Sequence, residues 1–169
     1  MPRVSFADLP DHGRLWVFPI NRDLDESETE RCLNVVDGFL AQWAAHGTPL
    51  RSARDFRDSR FLLIGVDVDA EAPSGCSIDA LVNQLKGLGD TMGITFIDHA
   101  PVWFRDDNDI QTRSRSEFRT LAASGGVTRS THVFDTSLVR IGQARSGELE
   151  RPASETWHGR AFFKERAAT

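Results

Sequence analysis

The sequence predicts an α+β protein: a ferredoxin-like split βαβ plait over residues 1–104, with a small C-terminal strand-helix-strand subdomain and tail over residues 105–169 packed on it. Three observations carry the prediction. Two stretches hold apolar residues at helical spacing, a strand-like apolar run precedes each, and the elements alternate as strand, helix, strand, strand, helix, strand. No linker rich in Pro, Gly or Ser sets the remainder apart.

"RLWVFPI" (14–20) reads as a buried first strand, closed by Pro19 and the turn "NRD". In "LDESETERCLNVVDGFLAQWAAHG" the acids Asp25, Glu26, Glu28 and Glu30 crowd the first turns of a helix, where its dipole favours negative charge, and Asp25 or Ser27 can cap it. Cys32, Val36, Phe39, Leu40 and Trp43 form its buried stripe, and Gly47 with Pro49 stops it. "LRSARDFRD" (50–58) alternates poorly, as an edge strand does, whereas "RFLLIGVDV" (60–68) is the most strand-like run and is expected at the centre. After the loop "DAEAPSG", Ile78, Leu81, Val82, Leu85, Leu88 and Met92 stripe a second helix that Gly93 stops. A strand at "ITFI" (94–97) or "PVWF" (101–104) completes the plait.

The rest reads as strand, acidic turn, strand, a short helix capped by Ser114 with Glu117 at the capping-box position, a glycine stop and a strand at "HVFD". The tail "PASETWHGRAFF" is expected to fold back on the core through Trp157, Phe162 and Phe163.

A chain of 169 residues with 40% hydrophobic and 27% charged residues is long and apolar enough to bury a core. Its net charge of −5 disfavours broad attachment to nucleic acid or anionic lipid, although "RAFFKER" is a local basic patch. The central strand also lacks the aromatic and basic pattern of an RNA-reading sheet. The opening residues contain no apolar leader, and "FLLIGV" is far shorter than the ~20 residues that span a bilayer. The chain is therefore expected to be cytoplasmic, with no membrane partner and with both cysteines, Cys32 and Cys76, reduced.

The blocks "RLWVFPINR", "FLAQWAAHG", "SRFLLIGVD", "SGCSID", "HVFD" and "TWHGRAFF" together resemble a family of short bacterial proteins of unknown activity that often carry the label "ABC transporter ATPase". The resemblance spans most of the chain and implies no particular reaction, substrate or partner. ATP hydrolysis of that class needs a GxxxxGK[ST] loop to cradle phosphates and Mg²⁺, and the sequence has none. Residues 110–135 also resemble, more loosely, the pattern "S..EF..L...G.V...T.V" of GYF-like domains, modules that bind proline-rich peptides through aromatic residues including a tyrosine. With no tyrosine in the chain, that resemblance implies a local fold and no binding residue.

The residues with chemistry gather around "SGCSID". If Cys76 or Ser77 caps the second helix, the thiol meets unpaired N–H groups that favour a thiolate, while Asp79 in the same turn opposes this. Gly75 would let a ligand approach the backbone. The bland alternative is that Cys76 packs as a small hydrophobe. Arg22, in the loop after the first strand, can hold a carboxylate or phosphate, or pair with Asp23 or Asp25. His158, between an aromatic and a glycine, can serve as base to a thiol, or be a hydrogen-bonded structural residue. His46, beside Gly47, is expected to support a helix C-terminus.

Neither "DVDAEAP" nor "DDND" has the pattern of a calcium loop, so neither a metal nor another cofactor is expected. The expectation is a binding module for a small anion or a protein, with a site made of Arg22, Gly75, Cys76, Ser77, Asp79 and His158. Its rival is a thiol-dependent enzyme with Cys76 as nucleophile and His158 as base. A third reading is homo-oligomeric assembly through an exposed patch of Trp16, Trp43 or Trp103.

Overall fold

The computed structural model describes residues 3–96 and 99–163. A short 3-10 turn, Phe6–Asp8, precedes β1 (Arg14–Pro19), α1 (Glu26–Leu40), the short β2 (Ala44–Ala45) and β3 (Thr48–Pro49), β4 (Ser52–Arg57), β5 (Phe61–Val66) and α2 (Gly75–Met92). Then come β6 (Val102–Asp106), β7 (Asp109–Arg113), α3 (Arg115–Ser124), β8 (His132–Phe134), α4 (Ile141–Arg145), β9 (Glu150–Pro152) and α5 (Trp157–Phe162). The protein is α+β, in two compact units. The first comprises residues 1–98 and 137–145, and the second residues 99–136 and 146–169.

In the first unit β5 lies between β1 and β4 and is antiparallel to both, so the two strands joined by α1 run parallel with a third inserted between them. All six residues of β5 are buried, which is why it reads as a continuous apolar run. One sheet face supplies Phe18, Leu62, Ile64 and Val66 to a core shared with Cys32, Val36 and Leu40 of α1 and Leu81, Leu85 and Leu88 of α2. The opposite face is close-packed at Gly65, where an added methyl carbon would stand 2.9 Å from both Leu9 and Ile141.

The start of α1 and the end of α2 are as the sequence leads one to expect. Asp25 caps α1 and accepts from the Glu28 N–H while the Glu28 side chain reaches back, a reciprocal capping box. Gly93, at φ 69°, closes α2 in the left-handed region. The end of α1 departs from expectation. The helix stops at Leu40, and Trp43 turns in from the following loop, where its indole N–H donates to the Ser77 carbonyl at 2.8 Å. Gly47 and Pro49 do not stop this helix. His46 (φ 51°) and Gly47 (φ 78°) are the two-residue turn joining β2 to β3, so His46 supports no helix terminus.

The strand expected to complete the first sheet is not found there among the described residues. Ile94–Phe96 are outside any strand, Ile97 lies outside the described residues, and Val102–Phe104 belong to β6 in the other sheet. The outer edge of β1 instead meets the returning segment, Leu15 N–H donating to the Val139 carbonyl at 2.9 Å beside a bridge from Arg14 to Arg140.

The second unit is a four-stranded antiparallel sheet in the order β7-β6-β8-β9. Because β6 pairs with β7 and β8, the boundary falls at 98/99, ahead of the expected 104/105, and residues 137–145 return to the first unit. Ser114 caps α3 by accepting from the Glu117 N–H, and Gly125 (φ 80°) ends it. Phe118 then lies at the centre of a cluster with Val102, Phe104, Val127, Val133, Ala153 and Phe162. Trp157 and Phe163 pack against this cluster, so the tail closes on the second unit's own core. Arg105 grips Glu150 through two hydrogen bonds of 2.7 and 3.0 Å, with His132 Nδ1 at 3.1 Å from the same carboxylate, which ties β6, β8 and β9 together.

Candidate functional site

Ser74, and neither Cys76 nor Ser77, caps α2. Its hydroxyl accepts from the Ser77 N–H at 3.1 Å, while Ser77 Oγ accepts from the Ser74 N–H and donates to the Ser74 carbonyl, both at 2.8 Å. Ser77 is thereby consumed: buried, doubly bonded to the cap, and holding Trp43 through its carbonyl. Its role is to seat the helix on the core.

Cys76 is exposed, so it does not pack as a small hydrophobe. Gly75 is also exposed, and a methyl carbon built there would meet nothing within 4 Å. No close approach of the chain to itself therefore requires this glycine. Asp79 lies exposed one turn further on. The other thiol, Cys32, is sealed in the first core, where burial pushes it up to about 11 against the opposing influence of Arg54.

Arg22 forms a two-pronged pair with Glu28, at 2.9 and 2.6 Å, and also donates to the Asp23 carbonyl. Its carboxylate partner is neither Asp23 nor Asp25. The guanidinium, with the backbone N–H of Asp25, holds Glu28 down at about 2. An arginine so engaged is committed to the first turn of α1.

His158 belongs to the second unit, whereas Arg22 and residues 75–79 belong to the first. Thr156 caps α5 by accepting from the His158 N–H, and its hydroxyl pairs with Nδ1 at 2.8 Å. The ring stacks on Trp157 with centroids 3.9 Å apart and is 2% exposed. Burial pushes the imidazole down to about 4, with the Asp135 carboxylate opposing and the Arg115 guanidinium adding to the shift. It is a neutral structural group at pH 7, poorly suited to accept a proton from a thiol.

The tryptophan patch is also absent: Trp43 and Trp103 are buried and Trp16 is half-buried. Among the described residues, no group of three or more His, Cys, Asp or Glu side chains is placed to hold a metal ion, and no helix is long and apolar enough to cross a membrane.

A different surface gathers functional groups. Two adjoining depressions of about 410 and 460 Å³ share Ala122, Arg129 and Phe163. Ala123, Ala161, Phe162 and Val127 extend their apolar floor, and Arg119 stands on the rim. Arg119 lies over the Phe162 ring at 5.4 Å and Arg115 over Trp157 at 5.2 Å, contacts that hold the guanidinium groups above the aromatic edge. Arg129 donates to the Phe163 carbonyl at 2.8 Å. The readable signal was on α3: Arg115 and Arg119 stand four residues apart, a spacing at which like charges repel, and Ala122 and Ala123 continue the same face.

The chain was compared with family models, curated protein sequences and solved structures, and none of them matches.

Proposed function

We propose that this chain is a non-catalytic, cytoplasmic protein-binding module that acts through the groove between α3 and α5 of its second unit. One observation carries the reading: the adjoining depressions have an apolar aromatic floor under two exposed arginines, Arg119 and Arg129. An apolar floor supplies affinity and a few placed polar groups supply orientation, the usual division of labour in a recognition groove. We read the first unit as a ferredoxin-like plait whose fourth edge position is taken by the segment around Val139, and the whole chain as a relative of the short bacterial proteins it resembles.

The test is to pan a random peptide library on the folded chain and map the selected peptides by amide chemical shifts. Shifts centred on Ala122, Ala123, Val127 and Phe163 are expected. Shifts centred on residues 74–79, or none at all, would overturn the groove reading.

A second reading keeps the helix start of α2, because Cys76 is an exposed thiol beside an exposed glycine. In that reading Gly75 and Cys76 contact a small anion or an electrophile. The version that uses His158 as base loses support from that ring's burial and its bond to Thr156.

A further inference from the structure

Charge in the second unit is distributed unevenly. Arg115, Arg119, Arg129 and Arg160 are all exposed, and none of them forms an ion pair with a carboxylate among the described residues. Several acids of the unit are placed otherwise. Glu150 is held by Arg105 and His132, Asp106 and Asp109 end the strands of the β6–β7 hairpin around Asp107, and Glu117 sits at the capped start of α3. Elsewhere in the molecule several arginines do find carboxylates, among them Arg22 with Glu28, Arg54 with Asp37, Arg57 with Asp55 and Arg145 with Asp11. In a chain of net charge −5, four exposed arginines on one small unit with no carboxylate partner among the described residues stand out, and two of them line the apolar groove.

Resting on the groove reading above, we propose that the ligand is an acidic peptide segment: an apolar side chain seated against Phe162 and Phe163, with flanking carboxylates on Arg119 and Arg129. Guanidinium forks suit carboxylates because two parallel N–H groups match two oxygens, and the stacking of Arg119 on Phe162 together with the bond from Arg129 to the Phe163 carbonyl reduces the ordering required on binding. A carboxylate partner would also relieve the repulsion between Arg115 and Arg119 on α3.

The experiment is fluorescence anisotropy on the full chain with three labelled twelve-residue peptides. One has a central Phe-Leu flanked by Glu and Asp, one has the same centre flanked by Lys, and one has it flanked by Ser and Gln. A twelve-nucleotide single-stranded RNA is the fourth probe. Saturable binding of the acidic peptide is expected, weakened at least tenfold by the double variant Arg119→Glu/Arg129→Glu. Arg31→Glu, a charge reversal at an exposed position on α1, is expected to change it less than twofold. Four outcomes would overturn the proposal: no saturable binding of the acidic peptide, equal loss with Arg31→Glu, tighter binding of the RNA, or binding only after residues 164–169 are removed. If the uncharged peptide binds the groove as tightly as the acidic one, the acidic preference fails while the groove reading stands. If no peptide shifts the groove amides, both fail.

Discussion

Phe118→Ala is expected to remove about 3–5 kcal/mol of stability, because a fully buried phenyl ring would leave a cavity its neighbours cannot fill. The ring is the hub of the second core. Phe104, Phe162 and Phe163 all meet it nearly edge-on, with centroids 5.3, 4.9 and 6.2 Å away. Two of those partners, Phe162 and Phe163, also floor the groove, so the substitution should loosen the groove together with the core. Urea unfolding followed by amide exchange at β6 and β8 would measure it. A loss below about 1 kcal/mol would contradict the central place given to Phe118.

The second large effect is on pH dependence and comes from His158. Its imidazole is held near 4 in the folded chain against a reference of 6.5, so the unfolded chain takes up the proton first as pH falls. The stability it contributes is complete above about pH 6.5 and is lost progressively down to about pH 4, on the order of 3 kcal/mol over the window. Glu28 works lower. Its depressed value, about 2, gives stability that is present above its reference of 4.5 and is lost as pH falls towards 2, so its window lies largely below that of His158. Urea titrations at pH 7 and pH 4.5 on the wild type and on His158→Gln would read the difference. The wild type should lose much more stability between the two pH values than the variant, and equal losses would contradict the burial of a neutral ring.

Much of the first unit was legible because local chemistry decided it. Asp25 with Glu28 starts α1, Gly93 ends α2, Ser114 starts α3, and the unbroken apolar run of β5 marks a strand buried on both faces. What failed was long-range. A run such as "VWF" declares a strand but not its sheet, and β6 found its partners in β7 and β8. Residues 137–145 carry no mark of their return to the first unit, where Ile141 packs against Gly13 and Gly65. Trp43 continued the spacing of α1 from Phe39, yet the chain leaves the helix at Leu40 and the indole is drawn in by the Ser77 carbonyl.

The candidate site was legible only as a set of residue types. Ser77, Arg22 and His158 are polar residues that the fold uses for itself, in a cap, an ion pair and a buried stack. Sequence alone does not separate these uses from catalytic ones, because the same side-chain chemistry serves both. The arginines of α3 were missed for the opposite reason. Scattered basic residues look like ordinary solvated surface until Phe162 and Phe163 are seen beneath them.

Whether the chain binds or catalyses turns most directly on whether His158 acts on Cys76. The decisive measurement is the iodoacetamide labelling rate of Cys76 at pH 7, read by mass spectrometry in the wild type and in His158→Gln, with circular dichroism confirming that both are folded. A binding module whose imidazole is neutral and sealed beside Trp157 predicts rates within twofold of each other. A tenfold slower reaction in a folded His158→Gln chain would contradict it and restore the thiol enzyme.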